Sequence, residues 1–130
     1  MMRMFVYGTL LPGESNHYLV KPYLLSRRPG RVRGRLYDAG PYPGIVLGGS
    51  RLVTGEWMEV EERALPVLDE LEGYYGPGRD NEYERVKVSD ADKPELSGWI
   101  YVWPDSRGFP EIPGGSWVDW NRERGKLKRR

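Results

Sequence analysis

The chain has 130 residues, of which 38% are hydrophobic and 30% charged, and a net charge of +1. These values favour a single globular domain and exclude a disordered or fibrous chain. The lack of cysteine excludes disulfides and cysteine nucleophiles, and the single histidine, His17, excludes a multi-histidine metal cluster. No apolar run approaches the length of a membrane span and no signal peptide is expected, so we expect a cytoplasmic protein with no membrane partner.

The first predicted element is a short strand, MRMFVYGT (2–9), which Gly8 ends. A glycine and a hydroxyl, Gly8 and Thr9, interrupt this apolar run just before two leucines. The turn cluster LPGES follows. The stretch NHYLVKPYLL (16–25) predicts a short helix, with Asn16 as its cap and Pro22 ending or kinking it.

Two further strands are predicted before the main helix. In GRVRGRLYD (30–38), small or apolar residues alternate with Arg31, Arg33 and Arg35, which indicates a half-buried strand with a basic outer face. AGPYPG (39–44) is a loop by composition. VTGEWMEV (53–60) predicts the next strand.

EERALPVLDELEGY (61–74) is the clearest helix, because its apolar residues recur at the spacing of one helical face. Pro66 requires a start near Glu62 or Arg63, since proline is tolerated only in the first turn. Gly73 suits the C-terminal cap. The apolar face comprises Ala64, Val67, Leu68 and Leu71.

One carboxylate breaks the polarity of this helix. At about 100° per residue, Glu72 lies about 80° from Ala64, inside the apolar arc, whereas Glu70 lies on the solvent side. A buried, unpaired carboxylate responds by a raised pKa, which suits a general base or acid near neutral pH. Alternatively, Glu72 lies in a fraying last turn and points outward.

The remaining chain predicts two more strands, YERVKVSD (83–90) and LSGWIYVWP (96–104), after a loop at YYGPGRDN. IPGGSWVDW and the C-terminal tail are predicted to be irregular, with aromatic side chains plugging the core. Five or more strands around one short helix favour an α+β fold built as a small barrel or a strongly curled sheet.

The last ten residues carry six basic groups and one acidic group, which leaves 14 basic and 18 acidic residues, a net −4, in residues 1–120. We therefore divide the chain into a domain, residues 1–120, and a basic C-terminal tail, residues 121–130. We expect the tail to be solvated and not to bind nucleic acid, since nucleic-acid contacts need a basic patch on a folded face. The alternative is a nucleic-acid accessory protein that uses the tail and the strand arginines.

Seven segments, in this order and spacing, resemble the γ-glutamylcyclotransferase-like family, which includes the γ-glutamylamine cyclotransferases and AIG2-like proteins. The resemblance implies a small mixed barrel with one main helix and a central cavity. It also implies that Tyr7, Gly8, Thr9 and Leu10 bind substrate at the cavity mouth, and that Glu72 is the catalytic residue. The stretch GYYGPGRDNEY and the basic tail depart from the family pattern. The matching segments are FVYGTL, LYDAGPYPGIV, GEWMEV, LDELEGY, YERVKV, WIYVW and IPGGSW.

The activity implied by the resemblance is release of 5-oxoproline from a γ-glutamyl compound, with no cofactor or metal. Glu72 would act as the base for attack by the substrate's own α-amine. Backbone N–H groups near Gly8 can hold the oxygen of the reacting carbonyl, because glycine allows a turn and a close approach. The alternative is a non-catalytic module of the same fold that binds a small ligand.

Weaker predictions concern four other side chains. Tyr101 is a candidate substrate-binding residue, although it shares a strand face with two tryptophans and can equally pack among aromatic rings. Tyr42 is a second such candidate. We expect His17 to be solvated and Arg85 to pair with an acidic residue at the barrel wall. No sequence feature selects one γ-glutamyl compound or assigns an oligomeric state.

Overall fold

The computed structural model of the protein describes residues 1–128 and consists of one five-stranded mixed sheet with three α-helices. Among these residues, no helix has the length and apolarity needed to cross a lipid bilayer. In chain order the elements are β1 (Met2–Val6), α1 (His17–Val20), a 3-10 turn (Lys21–Tyr23), β2 (Leu24–Asp38), β3 (Pro43–Val60), a 3-10 turn (Glu62–Ala64), α2 (Leu65–Glu72), β4 (Glu84–Ser89), β5 (Ser97–Val102) and α3 (Trp117–Lys128).

The sheet has the strand order β2-β3-β1-β5-β4. Strand β1 is central, antiparallel to β3 and parallel to β5. Within residues 1–128 no ladder joins the outer strands β2 and β4, so the α+β fold is confirmed but the predicted closed barrel is not. The loop after β4 reaches the β2 edge instead, where the Ala91 N–H donates to the Arg31 carbonyl at 2.7 Å.

Strand β3 is much longer than the predicted VTGEWMEV segment. It pairs with β2 along a hairpin whose register shifts where Arg33 pairs with Leu52 but its neighbour Gly34 pairs with Leu47. Gly48 and Gly49 lie in this shift with φ of 109° and 78°, values that favour glycine. The strand therefore continues through a glycine-rich stretch that breaks period-2 alternation, which is why the sequence pattern missed its first half. The basic outer face of β2 is as predicted, since Arg31, Arg33 and Arg35 are exposed.

The alternation of β1 separates two hydrophobic clusters. Met4 and Val6 pack with Leu68 of α2, whereas Phe5 and Tyr7 pack with Trp57 of β3 and other side chains of the second cluster. One strand can contribute to both clusters because successive side chains of a strand point to opposite faces of the sheet.

Helix α2 confirms the predicted helix, and Gly73 caps it in the left-handed region with φ of 64°. The α-helix begins at Leu65 rather than near Glu62 or Arg63, because the residues Glu62–Ala64 form a 3-10 turn. The C-terminal segment was predicted wrongly as irregular, because α3 spans Trp117–Lys128. Trp117 is 1% exposed, and the Arg124 guanidinium donates to the Asp38 carboxylate at 3.1 and 3.3 Å. These tertiary contacts hold a helix whose own sequence has little apolar periodicity. Helix α3 also crosses the predicted boundary at residue 120, and the end of the predicted tail, residues 129–130, lies outside the described residues.

Candidate active site

A cavity of about 260 Å³ lies where β1 leaves the sheet, between the loop that follows it and the end of α2. All six site residues predicted from the sequence line this cavity, although they come from three separate parts of the chain. They are Tyr7, Gly8, Thr9, Leu10, Glu72 and Tyr101.

The loop after β1, residues 7–10, is held by bonds on its outer side. The Thr9 carbonyl accepts from the Asn16 N–H at 2.8 Å, and the Thr9 hydroxyl accepts from Asn16 Nδ2 at 3.0 Å. Asn16 precedes α1 as predicted, but its side chain makes no cap hydrogen bond and holds Thr9 instead. His17 is also anchored rather than solvated, since its Nδ1 lies 2.8 Å from the Leu10 carbonyl oxygen.

Three backbone donors of this loop lack a protein partner. Gly8, Thr9 and Leu10 are buried, yet within residues 1–128 none of their N–H groups donates to a protein acceptor. Buried N–H groups without a partner are rare in folded proteins and carry a free-energy cost, so they indicate a place where water or a ligand supplies the acceptor. Adjacent unpaired N–H groups are suited to a carboxylate or a carbonyl oxygen.

Gly8 is required for space rather than for an unusual backbone conformation. Its φ does not lie in the left-handed region. A Cβ at this position would lie 2.7 Å from Cγ of Pro43, a contact too short for real side chains. The sequence predicted the close approach of a ligand at Gly8, whereas the neighbour that the structure places against this glycine is Pro43 of strand β3, beside the cavity.

Glu72 is the last residue of α2 and lines the cavity, next to the Gly73 cap. Burial raises its pKa from 4.5 to about 7. Glu70 of the same helix is exposed, as the helical periodicity predicted. At neutral pH Glu72 thus exists in comparable amounts as acid and base, which a proton-transfer group requires.

Two tyrosine hydroxyls are fixed at the cavity wall by backbone groups. The Tyr7 hydroxyl donates to the Tyr101 carbonyl at 2.7 Å and accepts from the Ile45 N–H at 3.3 Å. The Tyr83 hydroxyl donates to the Pro43 carbonyl at 2.6 Å. Burial, and secondarily the charge of Glu72, raises the pKa of Tyr7 well above its ordinary value, and burial does the same for Tyr83. Both hydroxyls remain protonated and neutral near Glu72.

Tyr101 is both a cavity residue and part of a polar array behind the cavity. Its hydroxyl donates to Oδ1 of Asp69 at 2.6 Å, and burial raises its pKa far above the ordinary value. Arg85 Nε lies 3.0 Å from the same Oδ1 but without hydrogen-bond geometry, so this is an ionic contact. The Arg85 guanidinium is sandwiched between the rings of Tyr74 and Trp99, at 4.9 and 4.5 Å. The predicted pairing of Arg85 with an acidic residue is confirmed.

Sequence reasoning missed part of the cavity wall. Tyr83 lies just before β4 and was not predicted to line the cavity. The only sequence signal that could have indicated it is its position at the start of the alternating segment YERVKV. Tyr42, by contrast, was a weaker candidate from the sequence, and it lines the cavity as a partly exposed residue. In the part of the chain that the structure describes, no three His, Cys, Asp or Glu side chains are placed to hold a metal ion. The further lining residues are Met4, Phe5, Val6, Asn16, Pro43, Leu71, Glu82 and Tyr83.

Comparison with known proteins places this cavity in a family context. Residues 4–119 match the family described as gamma-glutamyl cyclotransferase, AIG2-like. The chain is similar to a gamma-L-glutamyl-butirosin B gamma-glutamyl cyclotransferase of Niallia circulans, at 44% identity over 79% of this chain and 67% of that protein. It is 38% identical to a putative gamma-glutamylcyclotransferase of Vibrio cholerae, over 88% of this chain and 93% of that one.

Solved structures show the same architecture. An AIG2-like protein from Mus musculus superposes with a TM-score of 0.69 at 26% identity, covering 89% of this chain and 87% of that chain. YkqA from Bacillus subtilis superposes with a TM-score of 0.74 at 25% identity over 96% of this chain, which spans 42% of that longer protein. The match over 116 consecutive residues includes both the loop after β1 and Glu72. This chain therefore belongs to the gamma-glutamyl cyclotransferase, AIG2-like family.

Proposed function

We propose that the protein is a γ-glutamyl cyclotransferase that releases 5-oxoproline and a free amine from a γ-glutamyl compound. One observation carries the proposal. A carboxylate with a pKa of about 7, Glu72, shares a small cavity with three consecutive buried N–H groups that have no protein acceptor within residues 1–128. A base beside donors suited to an oxyanion is the arrangement that acyl transfer needs.

In the proposed reaction the substrate's α-amine attacks its own γ-carbonyl carbon. Glu72 takes the proton that the attacking nitrogen loses. The carbonyl oxygen becomes an oxyanion, which the N–H groups of Gly8, Thr9 and Leu10 stabilise; one such donor is typically worth about 3 kcal/mol. Glu72 then delivers its proton to the leaving nitrogen, the original amide bond breaks, and the new ring amide remains. No redox partner is consumed.

The tyrosines define the shape of the site rather than transfer protons. Tyr7 and Tyr83 are held by carbonyls of the surrounding strands, and their raised pKa values keep them neutral. A rigid, largely apolar wall restricts an extended γ-glutamyl chain to folded conformations in which amine and carbonyl meet. Tyr101, anchored by Asp69, contributes a substrate-facing edge to this wall.

The test is a panel of γ-glutamyl compounds with 5-oxoproline measured as product. The panel contains glutathione, a γ-glutamyl dipeptide, a γ-glutamyl isopeptide of lysine and a γ-glutamyl amine. Turnover of at least one compound, lost in Glu72→Gln, is the expected result. Binding of 5-oxoproline with no turnover of any compound would favour a small-ligand-binding module of the same fold.

A further inference from the structure

An ion pair lies behind the cavity wall and takes no part in the bond-making steps of the proposed reaction. Nε of Arg85 lies 3.0 Å from Oδ1 of Asp69, and both side chains are largely buried. Neither is among the described residues that line the cavity. A buried ion pair costs desolvation energy and often adds little net stability, so its place beside the site points to another role.

Arg85 is held by aromatic rings rather than by a hydrogen bond of its Nε. The guanidinium lies 4.9 Å from the centre of the Tyr74 ring and 4.5 Å from that of Trp99. Nε is buried and has no hydrogen-bond partner within residues 1–128. The contact with Asp69 is ionic, so Arg85 acts on that carboxylate through its charge.

Asp69 places a negative charge one helical turn from Glu72, the proposed base. Residues three apart on a helix have about 5–6 Å between their Cβ atoms. One carboxylate disfavours the ionisation of a second nearby, so an unbalanced Asp69 would raise the pKa of Glu72 beyond the effect of burial. Burial is the one cause of its raised pKa, about 7. This agrees with an Asp69 charge that Arg85 neutralises.

Tyr101 shows that both charges of the pair act at the cavity. Its hydroxyl donates to Oδ1 of Asp69 at 2.6 Å, and the residue lines the cavity together with Glu72. Burial raises the pKa of Tyr101 most. The carboxylates of Asp69 and Glu72 raise it further, whereas the charge of Arg85 lowers it. The two members of the pair therefore act with opposite signs on a side chain that shares the cavity with Glu72.

The other charged and titratable groups near the cavity have their own partners or face solvent. Glu82 lines the cavity but is 55% exposed and pairs with Arg107 at 2.9 Å. Glu70 of α2 is exposed. His17 of α1 contacts the Leu10 carbonyl oxygen at 2.8 Å. Among the described residues, the buried ion pair is thus the charged group best placed to act on the proposed base. The tyrosines of the cavity wall are Tyr7, Tyr42, Tyr83 and Tyr101.

We propose that Arg85 is a positioning residue for the proposed reaction: by balancing the carboxylate that anchors Tyr101, it keeps a net charge away from Glu72. The inference rests on the proposed function, in which Glu72 is the base. It makes the ionisation of Glu72 a property of the ion pair. Removal of either partner alone shifts that ionisation, in opposite directions, and removal of both restores it.

The experiment measures the ionisation of Glu72 in two ways. The first is the midpoint of the acid limb of kcat/KM against pH, which reports the free enzyme, with any γ-glutamyl compound that is turned over. The second is the NMR chemical shift of the Glu72 carboxyl carbon against pH, assigned by its absence in Glu72→Gln. This second measurement needs no turnover.

The two single variants should move the midpoint in opposite directions. Asp69→Asn leaves the Arg85 cation unbalanced, which favours the Glu72 carboxylate, so the midpoint should fall by at least about half a pH unit. Arg85→Gln leaves the Asp69 carboxylate unbalanced, so the midpoint should rise by a similar amount. The double variant removes both charges and should return to within about 0.2 pH unit of the wild type.

Two further variants separate charge from packing. Arg85→Lys keeps the positive charge but loses the planar group between the rings, and it should stay close to the wild-type midpoint. Lys87→Gln is the matched control, because it removes an exposed cation that stacks on the same Trp99 ring at 4.2 Å; it should not move the midpoint. If Arg85→Gln does not fold, Arg85→Met takes its place, since an unbranched apolar chain fits between two rings.

The outcomes separate this inference from the proposed function. Three results overturn the inference: shifts of the same sign in both single variants, a midpoint within about 0.2 pH unit of the wild type in either, or a shift that persists in the double variant. Wild-type turnover that is lost in Glu72→Gln still leaves the proposed function standing in these cases. Opposite NMR shifts in a protein without turnover overturn the proposed function but support the charge balance.

Discussion

The chemical role that we propose for Glu72 carries an energetic penalty. Its pKa of about 7 means that the folded protein binds a proton more tightly than the unfolded chain, whose glutamate has a pKa near 4.5. Folding stability therefore decreases as the pH rises from about 4.5 to about 7, and the ionised residue costs up to about 3 kcal/mol above that range. The ionised group thus lowers the stability of the fold, and the proposed function supplies a reason for a carboxylate at the end of this short helix.

For Glu72→Gln we expect a loss of at least about a hundredfold in kcat with the melting temperature unchanged or raised at pH 8. Glutamine has similar shape but cannot accept the proton, and it removes the cost of ionisation. The wild-type pH–rate profile should fall on the acid side with a midpoint near 7. Steady-state kinetics and calorimetry on the same samples measure both properties.

Glu70→Gln, on the exposed side of the same helix, is the matched control and should change neither property. Near-normal turnover in Glu72→Gln would show that another group is the base. Activity lost only together with a lowered melting temperature would make Glu72 a structural residue.

Gly8→Ala should abolish 5-oxoproline binding while the protein stays folded. The added methyl meets Cγ of Pro43 at 2.7 Å, so the loop must move and its three N–H groups leave their places. Titration calorimetry with 5-oxoproline measures the loss. Gly114→Ala, at an exposed glycine with no atom within 4 Å of the new Cβ, serves as control; unaltered affinity in Gly8→Ala would exclude the loop as the binding element.

At the scale of elements, α2 is coupled to β4 and β5 through a single carboxylate. Asp69 lies one helical turn before Glu72. Its carboxylate accepts a hydrogen bond from the Tyr101 hydroxyl of β5 and forms an ion pair with the Arg85 guanidinium of β4. Residues three apart on a helix share a face, so the array that fixes Tyr101 also fixes the helix end that carries Glu72. The side chains of Arg85 and Asp69 are only 15% and 21% exposed, so solvent screens the attraction between their charges only weakly.

We expect Asp69→Asn to lower the free energy of unfolding by about 2 kcal/mol, since it leaves the largely desolvated Arg85 guanidinium without its counter-charge. Urea denaturation measures the change. The exposed loop substitution Asp80→Asn should be neutral within about 0.5 kcal/mol. Equal stability of the two variants would mean that cation–π contacts with Tyr74 and Trp99 alone hold Arg85.

At the scale of the whole molecule, Asp90 ties the two open edges of the sheet together. This carboxylate is 6% exposed, follows β4, and accepts from the Arg31 N–H of β2 and from Trp57 Nε1 of β3. It also accepts from the N–H groups of Asp92 and Lys93. Burial acts to raise the pKa of Asp90, but these hydrogen bonds outweigh it and hold the pKa below its usual value.

Asp90→Ala should therefore destabilise the protein by about 3 kcal/mol at pH 7, because buried donors lose their acceptor. A carboxyl group with a lowered folded pKa contributes stability above its unfolded pKa of about 3.9, and that contribution is lost as the pH falls through the folded value. The difference between wild type and variant should accordingly narrow below about pH 4. Thermal melts from pH 3 to pH 8 test this.

Asp92→Ala is the control for this variant. Asp92 pairs with Arg31 at the surface, where both side chains are about half exposed, so its loss should cost no more than about 1 kcal/mol. A pH-independent difference for Asp90→Ala would show that its contribution is packing rather than charge.

The local periodicity of the sequence determined β1, the presence and cap of α2, the outward arginines of β2 and the position of Glu72 inside an apolar arc. Each of these depends on which side of one element faces water, and the spacing of residues along the chain records that directly. The extent of β3 was missed because two glycines interrupt its alternation. Helix α3 was missed because it is stabilised by Trp117 and Arg124 docking on distant residues, not by its own pattern.

Only the tertiary structure decided that the sheet of residues 1–128 stays open and that Tyr83 joins the cavity. It alone left the N–H groups of Gly8, Thr9 and Leu10 buried without a protein acceptor among the described residues. The physical reason is the same in each case. A sequence pattern indicates that a surface is buried but not which surface covers it, and a binding site consists of surfaces that the fold brings together and leaves uncovered.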